Sequence, residues 1–315
     1  MGTAGYRGVY PMLPTPFDSA GEVVLGDVEK LTAYVLACGA HGVAALGLAG
    51  EAKYLSEEER MAVIEAVVRG RGNAPVIAGI SADTTAQACR LAAHAASSGV
   101  AMVMVAPPAA ASMSRSSLSA HYLAIVDAAS GAEVMIQDAP GFVDVDLGAV
   151  FIRQLASTSP AITAVKIEGS PVGERIADCI EALGTLKLPV FGGNGGLHAM
   201  DALDAGASAM IPGCELVAGH VRLFEAYASG DREGAAQLYA KLLPLFAFQM
   251  QNLNFYIACN KEILWRRKLI GSTHMRAPIK LGSRSKAALI HYEGLALAGV
   301  EEDSACLGAS APAVG

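Results

Sequence analysis

EVMIQDAPG (133–141) begins as a short, mostly apolar run and breaks at a Gln–Asp pair followed by Ala-Pro-Gly. The run does not alternate apolar with polar residues, which is how a strand buried on both faces reads. Seven more runs of this kind recur: VYPML (9–13), GVAALG (42–47), VIAGI (76–80), AMVMVA (101–106), ITAVKI (162–167), PVFGG (189–193) and SAMIP (208–212). Strands buried on both faces belong to a parallel sheet covered by helices. Segments of helical period lie between the runs. SEEERMAVIEAVVRG (56–70) carries a capping box, Ser56 with Glu59 three residues on. A helix over 27–38 is expected to be capped by Asp27 and ended by Gly39. Further helices are expected over 84–98, 116–129, 146–157, 172–183, 197–204 and 215–229. Eight strand–helix units in order predict an α/β protein, a (β/α)8 TIM barrel over 1–229. A doubly wound sheet is the alternative, but eight similar units with no switch in pattern favour closure. Three further helical segments predict a C-terminal helical extension over 230–299 packed on the barrel. The small, polar residues of 300–315 read as a loose tail.

Composition suits that fold. Of 315 residues, 53% are hydrophobic and 17% charged, enough apolar material for a large core. The net charge of −7, with no basic patch, argues against a nucleic-acid partner. Cys38, Cys89, Cys179, Cys214, Cys259 and Cys306 form no CxxC pair and no His/Cys cluster, so no metal site or disulfide framework is signalled. The first residues lack the basic start and apolar run of a signal peptide. Tyr6 stands where a myristoylation signal needs Ser or Thr, and no run reaches membrane-spanning length. A cytoplasmic protein with no membrane partner is expected.

In a barrel, chemistry sits at the C-terminal ends of the strands and in the loops after them. Those positions hold Thr15-Pro16, GLAGE (47–51), APP (106–108), QDAP (137–140), KIEG (166–169), GGNGG (192–196) and IPG (211–213). Lys166 is the most informative. A lysine in an apolar run costs several kcal/mol of desolvation unless it is paired or neutral. The neutral amine is the form that attacks a carbonyl to make a Schiff base. The plainer reading is a lysine snorkelling at the strand end or paired with Glu168. GLAGE offers backbone N–H groups that can cradle a carboxylate, although an ordinary βα turn reads the same way. GGNGG lacks the spacing of a dinucleotide loop, but repeated glycine at a strand end means close backbone approach. His41, His94, His121, His198 and His220 show no metal-ligand spacing.

In order and spacing, these pieces resemble the dihydrodipicolinate synthase and N-acetylneuraminate lyase family of Schiff-base-forming pyruvate aldolases. The resemblance runs from PMLPTPF (11–17) to MRAP (275–278). It rests on TPF, GLAGE with the later LSEEER, the strand-end Lys166, the glycine-rich seventh strand and the GAxxxIPG of 206–213. It implies that Lys166 carries the Schiff base, with Gln137 and Glu168 beside it in the catalytic set. It also implies substrate contacts at Leu48, Ala49, Gly50, Gly193, Asn194 and Ile211. No metal or organic cofactor is implied, because the iminium itself is the electron sink. A small-molecule 2-keto acid is the implied partner, and a homotetramer the implied assembly.

The chain departs from the family pattern where the reaction is decided. Gln137 takes the place of the tyrosine in the family's YNxPxR-type motif, and Phe142 that of its arginine. The second tyrosine falls within Pro107-Pro108-Ala109, and the paired threonines of the carboxylate loop are Leu48 and Ala49. Glutamine cannot act as a general acid or base, and without the arginine a second carboxylate loses its bidentate partner. Dihydrodipicolinate synthase activity itself is therefore disfavoured. The PP turn, QDAP and KIE look most like the L-2-keto-3-deoxyarabonate dehydratase branch. Dehydration of a 2-keto-3-deoxy sugar acid leads, with Glu168 or a bound water as the base; an ion pair steadying Lys166 is the other reading of Glu168. Asp138 reads as a turn residue rather than a catalyst. Retro-aldol cleavage of a 2-keto acid to pyruvate and an aldehyde is the alternative. A non-catalytic barrel that binds a keto acid is the alternative of another class.

Overall fold

The computed structural model describes residues 5–108, 113–277 and 279–298. Ala109, Pro278, Cys306 and the expected tail over 300–315 lie outside the described residues. All eight apolar runs form strands: β1 (Gly8–Val9), β2 (Val43–Ala45), β3 (Val76–Gly79), β4 (Met102–Val105), β5 (Glu133–Asp138), β6 (Ile162–Ile167), β7 (Val190–Gly192) and β8 (Ala209–Met210). Every ladder is parallel, in the order β1-β8-β7-β6-β5-β4-β3-β2. The two ends meet at Met12, which bridges both Ala44 in β2 and Gly213 after β8. The sheet thus closes into the expected (β/α)8 barrel.

Alternation along each strand sorts side chains into two apolar layers. Met12, Ala44, Ile77, Met104, Met135, Ala164, Phe191 and Ile211 fill the interior. Val103, Val134, Ile136, Val165 and Ile167 face the helices. Gln137, Lys166 and Glu168 keep the inward parity and continue the interior layer upward. The fold therefore aims three polar side chains at one end of the barrel.

The helices are α1 (Leu25–Ala37), α2 (Glu57–Gly70), α3 (Thr85–Ser97), α4 (Arg115–Ala128), α5 (Ala149–Ala156), α6 (Val172–Leu183), α7 (Ala199–Asp204) and α8 (Val217–Ala228). Ser56 and Glu59 form the expected capping box on α2. Asp27 does not cap α1: it sits inside the first turn, and its carboxylate accepts from the Gly271 amide at 2.8 Å. Helix α5 starts three residues later than expected, because Gly148 turns at φ +70° and Asp146 is held by Arg175. Three more helices follow, α9 (Arg232–Gln249), α10 (Leu253–Arg266) and α11 (Ser283–Leu297). Helix α9 packs between α8 and α11, while α10 lies against the 3-10 turn Leu48–Gly50. Among the described residues, no helix is long and apolar enough to cross a membrane.

Candidate active site

Strands β5 and β6 pair with Gln137 beside Lys166, so the register brings the two inward side chains together. The Lys166 amine lies 2.9 Å from Glu168 Oε2, and both side chains are buried. Gln137 donates its side-chain N–H to the same Glu168 oxygen at 2.5 Å. Asn194 donates its amide Nδ2–H to the Glu168 carbonyl at 3.1 Å. Its backbone reaches the carboxylate only because Gly193 precedes it. A Cβ at Gly193 would stand 2.4 Å from Glu168 Oε1, so any side chain there would push the carboxylate aside. Asn194 itself takes a left-handed φ of +56°, a conformation that functional loops store at some cost.

A narrow pocket of about 30 Å³ opens over the amine. Leu48, Ala49, Asn194 and Ile211 line it together with Lys166 and Glu168. Four of the six positions expected at the substrate therefore share one wall. Gly50 is not on that wall: its N–H closes the 3-10 turn onto Gly47, and its carbonyl is taken by the Thr15 hydroxyl at 2.6 Å. As the first residues of that turn, Leu48 and Ala49 have N–H groups with no acceptor within it. Gly193 and Gln137 stand behind Glu168. The QDAPG turn folds back through the Phe142 and Val143 amides onto the Ala139 carbonyl, which carries the Phe142 side chain to the pocket. Phe142, Glu168, Asn194 and Met250 also line a wider outer cleft of about 440 Å³, so pocket and cleft share a wall.

The motif pieces spread along the chain converge beneath the GLAGE loop. Glu51, at φ +56°, is fully buried and accepts from Lys261 Nζ and from the Arg276 and Ala277 amides. Arg276 forks onto Glu59, and both cations lie over the Phe17 ring. TPF, GLAGE, LSEEER and MRAP thus build one clamp that fixes the turn under the pocket. Burial pulls Lys261 down to about 8, a shift that Glu51 opposes.

Asp138 points away from the amine, as a turn residue should. Its carboxylate takes Arg175 at 2.7 Å and the Leu147 amide at 3.1 Å. Burial raises its pKa, and Arg175 partly offsets that. Arg175, from α6, lines the outer cleft, but two aspartates already hold its guanidinium. Tyr256 is a second side chain that the sequence does not single out. It comes from α10, beyond the last strand, and lines the Lys166 pocket. A helix after the barrel carries no strand-end signal, so NFYIACN reads only as a packed helix.

Residues 5–290 match the Dihydrodipicolinate synthetase family. Over 244 residues the chain is 32% identical to 4-hydroxy-tetrahydrodipicolinate synthase 2 of Halalkalibacterium halodurans, covering 75% of this chain and 80% of that one. The synthase of Rhizobium meliloti is 30% identical over 250 residues, with 76% and 81% covered. The crystal structure of dihydrodipicolinate synthase from Rhodopseudomonas palustris superposes with a TM-score of 0.85 at 27% identity, over 92% of this chain and 97% of that one. A sialic acid aldolase from Ruminococcus gnavus, a catalytic lysine mutant, shares the fold at a TM-score of 0.86 and 22% identity, with 94% and 98% covered. A family match across nearly all of the chain, with curated relatives above 30% identity over three quarters of it, places this protein in the dihydrodipicolinate synthetase family.

Proposed function

We propose that the protein is a Schiff-base-forming lyase that dehydrates a 2-keto-3-deoxy sugar acid on Lys166. One observation carries this reading: the Lys166 amine pairs with Glu168 and faces a pocket lined by Phe142, where the resemblance expects an arginine, while Gln137, where it expects a tyrosine, holds Glu168 from behind. The amine passes its proton to Glu168 and attacks the C2 carbonyl; Glu168 returns that proton to the carbinolamine oxygen, which leaves as water and gives the iminium, with Glu168 again a carboxylate. The iminium acidifies C3. Glu168, 2.9 Å from the amine, is within reach of the C3 proton and is the base. Gln137 fixes the carboxylate by donating to it and exchanges no proton. The Leu48 and Ala49 amides take the substrate carboxylate in place of the family's threonine hydroxyls. No resident metal or organic cofactor enters this scheme, because the iminium takes up the electrons.

The distal end of the sugar acid extends into the outer cleft. Carbon–carbon cleavage is the second reading, favoured by the synthases among the relatives and opposed by Gln137 and Phe142. Homotetramer formation belongs to the same proposal: Trp265, Ile290 and Leu295 expose apolar surface on α10 and α11, and sedimentation velocity tests it. The reaction itself is tested by borohydride reduction with pyruvate or 2-keto-3-deoxy-L-arabonate, followed by peptide mass spectrometry. An adduct on Lys166 and water loss from the sugar acid are expected. No adduct with either compound refutes the Schiff-base reading, and release of pyruvate from the sugar acid refutes dehydration.

A further inference from the structure

Dehydration leaves one proton unassigned. When the C3 proton has gone to Glu168, the enamine electron pair forms the C3=C4 bond and the C4–O bond breaks. The departing oxygen needs a proton to leave as water. Gln137 cannot supply it, and Glu168 is occupied at C3. We infer that Tyr256, backed by Glu215, is the acid that protonates the departing C4 hydroxyl.

This assignment rests on the dehydratase reading above and on the following geometry. The Tyr256 ring lies against Gly195, where a Cβ would stand 2.9 Å from Cε2, and the side chain fronts the pocket that holds Lys166. A Cβ at Gly213 would stand 2.0 Å from Glu215 Oε2 and 2.1 Å from the Tyr256 hydroxyl, so both oxygens crowd one point above β8. Tyr256 is 4% exposed and Glu215 wholly buried. Among the described residues, the Tyr256 hydroxyl and both Glu215 oxygens have no partner at strict hydrogen-bonding geometry, and the side-chain amides of Asn260 and Gln249 are their polar neighbours. Buried polar groups are almost always well satisfied, and a weakly partnered phenol at a pocket wall is where a substrate hydroxyl completes the set.

The surroundings suit a proton donor. Burial holds the Tyr256 phenol well above its usual range, with Glu215, Cys214 and Glu168 adding to the effect and the Asn260 amide opposing it. The phenol is therefore protonated at neutral pH. Burial raises Glu215 to about 7. Arg267 and the amides of Gln249 and Asn260 pull in the opposite direction, and Cys214, Cys259 and Tyr256 are the other titratable groups facing it. Below that pH, Glu215 carries the proton that restores Tyr256 after each turnover. Solvent then reprotonates Glu215, Glu168 returns the C3 proton to solvent, and water hydrolyses the iminium to free Lys166.

The test uses the full chain with 2-keto-3-deoxy-L-arabonate. In Tyr256→Phe, borohydride still traps pyruvate on Lys166, while kcat for water loss falls at least about 100-fold, the low end for a lost general acid. The sugar acid trapped on this variant retains its C4 oxygen. In Glu215→Gln, the decline in kcat as pH rises through about 7 disappears, which a purely structural role would not produce. Wild-type kcat in Tyr256→Phe, or an unmoved pH profile in Glu215→Gln, overturns the assignment. If Tyr256→Phe does not fold, the Glu215→Gln profile decides alone. Absence of any adduct on the wild type refutes the Schiff-base reading instead, so the two failures are distinguishable.

Discussion

Lys166–Glu168 and Lys261–Glu51 are both buried lysine–glutamate pairs, one at a strand end and one between a helix and a loop. Lys261 also donates to the His274 carbonyl and lies 4.3 Å over the Phe17 ring. Its partner Glu51 spends the remaining oxygen on two backbone amides. Charge and hydrogen-bonding capacity are used up within the clamp. Among the described residues Lys166 pairs with Glu168 alone, and its amine borders the pocket. Burial brings Lys261 to about 8, yet it lines neither the pocket over Lys166 nor the outer cleft. A perturbed pKa thus marks burial, whereas an open approach marks chemistry.

Removing the nucleophile without removing its charge gives the largest separation. Lys166→Arg should abolish the borohydride adduct and lower turnover at least about a thousandfold with the fold retained, while Lys261 carries no adduct under any ligand. Tryptic mapping after reduction checks both, and label on Lys261 would erase the distinction. The clamp should fail in stability instead. Glu51→Ala leaves a buried cation and should cost about 3–5 kcal/mol in denaturant unfolding. A cost below about 1 kcal/mol would mean that the clamp is no tighter than a surface pair.

How much of this was legible follows from where the determining contacts lie. All eight strands were readable because burial on both faces writes continuous apolar runs, and 172–183 matched α6 end to end. Lys166, Glu168, Leu48, Ala49, Asn194 and Ile211 were legible as strand-end residues. Gly50 was misplaced because its backbone is consumed by Gly47 and Thr15. Asp27 was misread as a cap because its partner lies 244 residues away. Tyr256 and Glu215 were missed for the same reason: their adjacency exists only once α10 lies over β8. Local rules reach what local sequence determines, and the proton donor proposed above is not local.

Gly193→Ala probes the open pair more gently. The new Cβ would meet Glu168 Oε1 at 2.4 Å, and overpacking of this kind costs about 1–3 kcal/mol. Displacement of the carboxylate should slow adduct formation roughly tenfold, measured as the rate of borohydride trapping. An unchanged rate would show that Glu168 need not be fixed for Lys166 to react.

The smallest effect is in pH. The folded-state pKa of Lys261 lies below its ordinary 10.5, at about 8. Between these values the unfolded chain binds more protons, so this group makes stability rise with pH across that window and contributes no slope below it. Lys261→Met should remove that slope from unfolding curves measured between pH 7 and 10.5. A slope of opposite sign would mean that Glu51 outweighs desolvation.

The clamp also orders events in time. Glu51 is made early, but Lys261 follows it by 210 residues and Arg276 by 225. During synthesis the barrel strands can pair one after another as they emerge, while a carboxylate destined for full burial waits with neither counter-charge nor amide. The turn beneath the substrate is therefore set last, when the final helices arrive, and closing so long a loop carries its own entropic cost. A prematurely terminated chain would hold every strand of the barrel and still lack a finished pocket, which makes turnover itself a readout of chain completion.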